Sequence, residues 1–202
     1  ILIFDEMITG LRTNCSSVQN YFKINSDLST FGKSFGAGLP IGIISISKTT
    51  LRKLKKIKPR VFFGGTFSGN SLTTFVGNEI LNYIIKNKKK IFKKLDTNAK
   101  YFEKNLNKFF KSKDMDLKIY RFKSMLRLVY TKDYLKDRVG RDFLESKKNK
   151  QILKFQNYIK NKRIYIPSSG LMFLSYSHER KHIDFIIKEF KRGSLKIFNE
   201  NK

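Results

Sequence analysis

Residues 27–42 read DLSTFGKSFGAGLPIG, a stretch in which one lysine, Lys33, stands among small, apolar and hydroxyl side chains in a chain whose lysines otherwise run in clusters. The glycines around it let backbone approach a ligand closely. An amine buried among apolar groups favours its neutral, nucleophilic form, the form a Schiff-base lysine needs. A lysine that merely closes a turn has the same neighbours and is commoner, so the stretch by itself leaves both readings open. LPIGIISIS, bounded by Pro40 and Lys48, reads as a β-branched apolar strand.

Upstream, the chain opens on ILIF followed at once by Asp5 and Glu6, the pattern of a buried strand that ends in two acids. Starting inside a core strand is rare, and the expectation is that this chain is the C-terminal part of something longer; an edge strand at a true N-terminus is the alternative. VQNYFKINSDL reads as a short helix or loop, and KTTLRKLKKIKPRV as a brief basic helix stopped by Pro59. FFGGTFSGN at 62–70 is a glycine-punctuated loop.

From Ser71 the pattern is helical for about forty residues, with Ile80, Ile84, Ile91, Leu95, Phe102, Leu106 and Phe109 on a stripe that Lys88 interrupts. KNKKK at 86–90 is the expected boundary between two helices and two domains, 1–87 and 88–202. That lysine run reads better as a solvated helix end than as a phosphate patch. The last hundred residues read as a compact α+β unit: strands in LKIYRFKSMLRLVYT and IYIPSSGLMFLSYS, a helix in NKQILKFQNYIKNKR with Ile152, Phe155, Tyr158 and Ile159 on one face, and a closing helix in ERKHIDFIIKEFKRGSLKIF.

The 202 residues, 40% of them hydrophobic, suffice for one large domain or two small ones. The net charge of +27, from 43 basic and 16 acidic residues, would attract polyanions, so a nucleic-acid-binding protein is a rival reading. The excess is lysine spread along the whole chain with asparagine and isoleucine, without arginine gathered beside aromatic platforms. Compositional drift explains it at least as well, and no specific nucleic-acid partner is expected. Cys15 is the only cysteine, which excludes an intrachain disulfide and suits a reducing, cytoplasmic setting. His178 and His182 lie one helical turn apart without a third ligand, so no metal site is expected. No run of about 18 apolar residues is present, and no membrane span is expected.

IFDEMITGLR, DLSTFGKSFGAGLPIG and GGTFSGNSL occur in that order, and together they resemble the class III aminotransferases of pyridoxal-phosphate fold type I, nearest to the glutamate-1-semialdehyde 2,1-aminomutase branch. MFLSYSHERKHID is similar to that branch's closing strand-to-helix segment, so the resemblance spans nearly the whole chain. The fold it implies is α/β: part of the mixed sheet of a large cofactor-binding domain (1–87), then a small α+β C-terminal domain (88–202). It implies pyridoxal 5'-phosphate as cofactor, with Lys33 as the Schiff-base lysine and proton carrier. Asp5 would pair with the pyridine nitrogen. Met7, two residues on along the strand, would pack against the ring where the family has Val or Ile, while Glu6 faces the other way in a structural role.

Gly65 and Thr66 would offer a backbone N–H and a hydroxyl to the cofactor phosphate, and in the family that loop reaches the neighbouring subunit's site. A homodimer with shared active sites is therefore implied. Asn70 reads as a helix cap. Ser71 stands where the family often has Pro. Roughly half of a family protein precedes the point matching Ile1, including most of the phosphate loop and the aromatic that stacks on the ring, so the chain alone is expected to be inactive. The substrate would be a small amino compound, glutamate 1-semialdehyde or a similar amino aldehyde for a mutase, or an amine donor with a keto or aldehyde acceptor for an aminotransferase. GLMFLSYSH lacks the carboxylate-binding arginine that some ω-aminotransferases place here, which favours the mutase.

Overall fold

Three strands account for the architecture around residues 27–42 in the computed structural model, which describes residues 1–13, 15–58, 64–133 and 135–198. Strand β1 (Ile3–Asp5) pairs parallel with β2 (Leu28–Gly32), which pairs antiparallel with β3 (Gly42–Ile46). The sheet is mixed, in the order β1-β2-β3. The β1/β2 register sets Ile3 beside Leu28 and Asp5 beside Thr30, so both strands run out at the same edge. Ile1, Leu2 and Ile3 of the apolar opening are all exposed in this chain, as expected for a strand with neighbours on one side only. Within this chain β1 has a strand neighbour on one side only, β2.

The chain divides into two compact units, Ile1–Phe92 and Lys93–Lys202. In the first, α1 (Val18–Tyr21) is capped by Ser17 and α2 (Lys48–Leu54) by Ser47, each hydroxyl accepting a backbone N–H of the first turn. Pro59, expected to stop the basic helix, lies outside the described residues, as do Phe62 and Phe63. Helix α3 (Ser71–Ser112) begins at Asn70, whose side-chain oxygen accepts the Thr73 N–H at 3.0 Å. It passes through 86–90 without a break, so the expected division into two helices is corrected to one helix of 42 residues. Lysine is a good helix former, and Lys86, Lys88, Lys89 and Lys90 are all exposed, where interrupting an apolar stripe costs nothing.

The second unit carries the hydrophobic core. Phe102, Leu106 and Phe110 of α3 meet Ile119 of β4 (Lys118–Phe122), Leu126 and Leu128 of β5 (Met125–Val129), and Phe155 and Ile159 of α5 (Asn149–Asn161). Ile183, Ile187 and Phe190 of α6 (Arg180–Phe198) close it. Strand β6 (Leu171–Phe173) completes an antiparallel sheet β4-β5-β6. Only these three residues of the expected strand IYIPSSGLMFLSYS pair, because Pro167 has no N–H to give a ladder and Gly170 turns the chain with φ +71°. Helix α4 (Arg138–Ser146), which the apolar pattern does not announce, has no buried residue. Asp137 caps it, and Arg141 pairs with Glu145 one turn on.

Candidate active site

Ligands of open α/β sheets collect at the carboxyl ends of parallel strands; β1 ends at Asp5 beside Thr30, and β2 runs on two residues to Gly32. Asp5 is exposed, and its Oδ1 is held by two donors, the Met7 N–H at 3.0 Å and the Thr30 hydroxyl at 3.3 Å. Glu6, next along the chain, turns inward and is 1% exposed. It accepts the Gln19 N–H at 3.0 Å and the Thr9 hydroxyl, which makes it the anchor of the polar turn rather than a surface acid. The two adjacent acids thus divide into one presented to solvent and one consumed by the fold.

Met7 is not on the strand with Asp5. It stands in the turn after β1, half-buried, and its side chain lies against Gly32: a Cβ built there would meet Met7 Cε at 2.7 Å and the Ile41 carbonyl at 2.8 Å. Glycine is required at 32 for space, since the position is extended (φ 176°) and the surrounding atoms include fixed backbone. Gly10 closes the same turn by donating to the Glu6 carbonyl at 2.8 Å, and a Cβ there would strike the Phe31 and Phe35 rings.

Lys33 opens a 3₁₀ turn, Lys33–Gly36, in the left-handed region with φ +52°. Ala37, at φ +50°, closes the turn in the same conformation. For a non-glycine residue this costs about 1–2 kcal/mol. Strain of this kind collects where function fixes a residue's backbone. The expectation that Lys33 is buried among apolar groups is corrected: it is exposed. The apolar neighbours of the motif, Phe31 and Phe35, pack against each other as tilted rings with centroids 5.4 Å apart. The turn is pinned from the far side by α3, where Gly77 lets the helix approach so closely that a Cβ would meet the Phe35 carbonyl at 3.0 Å.

Asp27 fixes the start of β2. Its Oδ1 accepts the Thr50 hydroxyl at 2.6 Å and its Oδ2 the Leu2 N–H at 2.8 Å. The Thr50 hydroxyl first, and then the Leu2 N–H, hold its carboxyl below the usual carboxylate range. Gly65 and Thr66 stand on a separate turn, both exposed, where the Gly65 carbonyl accepts the Ser68 N–H at 2.9 Å. Among the described residues no hydrogen bond ties them to Asp5 or Lys33. The sequence reading missed Thr30 and Gly32. Both lie inside STFGK, and the signal was the parallel register that sets Thr30 beside Asp5.

The donor set suits a group with a basic ring nitrogen at one end and a carbonyl carbon at another: a carboxylate fixed by two donors, and a primary amine at the end of the neighbouring parallel strand. Pyridoxal 5'-phosphate has that form. Among the described residues no group of three or more His, Cys, Asp or Glu side chains could hold a metal, and no helix is long and apolar enough to cross a membrane. His178 and His182 instead each accept a backbone N–H at Nδ1, from Ser175 at 2.9 Å and Glu179 at 3.1 Å.

The family profile for class-III aminotransferases matches residues 1–156. Among curated relatives, the glutamate-1-semialdehyde 2,1-aminomutase of Thermosipho africanus is 33% identical over 98% of this chain. That of Thermosipho melanesiensis is 34% identical over 96%. The chain spans 45% and 47% of the lengths of these two relatives. Solved structures of the same fold include an ω-transaminase from Sphaerobacter thermophilus, with TM-score 0.80, 18% identity and 98% of this chain against 44% of that one. A glutamate-1-semialdehyde aminomutase from Pseudomonas aeruginosa in complex with PMP superposes with TM-score 0.82 at 12% identity, covering 97% of this chain and 44% of that one.

Proposed function

This chain belongs to the class-III aminotransferase family, and from that premise we propose that the whole protein is a pyridoxal-phosphate-dependent aminomutase acting on glutamate 1-semialdehyde or a similar amino aldehyde. The observation that carries the reading is that Asp5 ends one strand while Lys33 opens the turn after the parallel strand beside it, in a chain whose curated relatives are aminomutases. The cofactor, when bound, supplies an electron sink for the substrate's α-carbon.

The chain's own residues do the rest. Asp5, its Oδ1 kept in place by the Met7 N–H and the Thr30 hydroxyl, would orient the pyridine nitrogen and favour its protonated form. Lys33 would hold the cofactor at its aldehyde carbon through Nζ, the aldehyde oxygen leaving as water, and when free would carry a proton at that same Nζ. Met7, lying against Gly32, provides apolar surface for the ring. The Gly65 N–H and the Thr66 hydroxyl bind phosphate in the partner subunit's site of a homodimer. Residues 1–87 belong to the cofactor-binding domain and 88–202 to the small domain, and the enzyme works in the cytoplasm.

The second reading is a class III aminotransferase that passes nitrogen between an amine donor and a carbonyl acceptor. The class-III aminotransferase family match accommodates it; the absence of an arginine from GLMFLSYSH and the names of the curated relatives favour the mutase. Assay of the whole protein with glutamate 1-semialdehyde, beside a panel of amine donors and keto acceptors, separates them. Isomerisation without a released keto product supports the mutase; amine transfer to added acceptors, with no isomerisation, overturns it.

A further inference from the structure

We propose that the exposed face of α3 in the second unit, formed by Lys93, Lys100, Lys104, Lys108 and Lys111, docks the phosphate backbone of double-stranded nucleic acid. The inference is independent of the cofactor site. At 3.6 residues per turn these side chains fall within one arc of about 80° and form a row about 27 Å long. All of them are exposed, whereas Leu95, Ala99, Phe102, Leu106 and Phe110 on the opposite side of the helix are buried in the core. The row is therefore fixed by the packing of the helix that carries it.

The row is also uncompensated. The acids of α3 closest to it are Asp96 and Glu103, and both are taken by Arg121, each at 2.8 Å. Among the described residues none of the row's lysines makes an ion pair. Successive lysines rise by about 4.5 to 10.5 Å, comparable with the screening length of about 8 Å at physiological salt. Their fields therefore add along the row.

Lysine ammonium groups act as point charges toward phosphate. No aromatic side chain stands in the row on which an unpaired base could stack; Thr97 is the exposed residue that shares the arc. A duplex, with bases turned inward and phosphates outward, fits such a surface, and contacts to phosphate alone carry no base preference.

Fluorescence anisotropy of a labelled mixed-sequence DNA duplex, titrated between about 50 and 200 mM salt, tests this. Lys→Gln at all five row positions is expected to weaken binding at low salt at least about tenfold and to flatten the log K against log salt slope by about 0.9 for each phosphate that is no longer neutralised. Lys→Gln at Lys150, Lys154, Lys160, Lys162 and Lys196, five exposed lysines of the same unit, removes the same charge and is expected to leave most of the affinity. Lys104→Gln alone, with its slope change of about 0.9, keeps the test open if the fivefold variant does not fold. Equal losses in the two sets, an unchanged slope in Lys104→Gln, no duplex binding at low salt, or binding to phosphatidylserine vesicles in place of the duplex would each overturn the proposal.

Discussion

Lys33 pays a backbone penalty that its neighbours do not explain. A left-handed lysine costs about 1–2 kcal/mol relative to glycine, and its φ of +52° is set by the turn that follows β2. Lys33→Gly is therefore expected to be more stable than Lys33→Ala by about 1 kcal/mol in chemical denaturation, with both variants unable to bind cofactor covalently. Equal stabilities would mean that the turn is not held left-handed in solution. At the preceding position, Gly32→Ala drives a Cβ against Met7 and the Ile41 carbonyl. A loss of about 1–3 kcal/mol is expected, seen as a lower denaturation midpoint. The identities of Lys33 and Asp5 were legible because chemistry narrows which side chains can do such work. The exposure of Lys33 was not, since burial depends on what packs over a residue and Phe31 and Phe35 pack on each other.

At the scale of elements, the long helix is the feature that the local sequence misstates. KNKKK looked like a break because it interrupts an apolar stripe, yet nothing in five polar residues stops a helix on its exposed side. Lys88→Pro is the discriminating substitution: in a continuous α3 it is expected to cost about 3 kcal/mol or more, whereas a loop at 86–90 would tolerate it with little change in melting temperature. Helix α4 escaped for the complementary reason. Val139 and Phe143 stand one turn apart but are exposed, and no residue of the helix is buried, so its apolar pair faces no core; its other signals were the Asp137 cap and the Arg141–Glu145 pair.

Asp27 offers a pH test on the element that begins at the opening stretch. Its folded pKa is lowered by hydrogen bonds from Thr50 and Leu2. Its contribution is therefore fully present above the unfolded value of about 3.9 and is lost as pH falls through the folded one. Thermal melts of Asp27→Asn are expected to fall below wild type near neutral pH and to converge on it in acid. A gap that persists unchanged below about pH 3 would contradict the assignment.

At the scale of the molecule, apolar burial is uneven. Phe102, Leu106, Phe110, Phe155, Ile183 and Phe190 are all under 2% exposed in the second unit, while Ile91 is the one buried large apolar side chain among the described residues of the first. Local opening free energies follow buried apolar contact. Hydrogen exchange in this chain is therefore expected to protect β4 and β5 well beyond β1, β2 and β3; equal protection would contradict it. Phe102→Ala should cost about 3–5 kcal/mol. The order of the three motifs and the α+β character of the second half were legible, because both are written in local pattern. The continuity of α3 through 86–90 was not, because a polar run on the exposed side of a helix looks locally like a break.

The central claim, that Lys33 is the cofactor lysine, is tested most directly by trapping. The protein is incubated with pyridoxal 5'-phosphate, reduced with borohydride, digested and mapped by mass spectrometry. The account predicts a saturable pyridoxyl adduct on the peptide containing TFGK, at one per chain and absent from Lys33→Ala. A saturable adduct on another lysine, or labelling spread over the exposed lysines with none preferred, would contradict it.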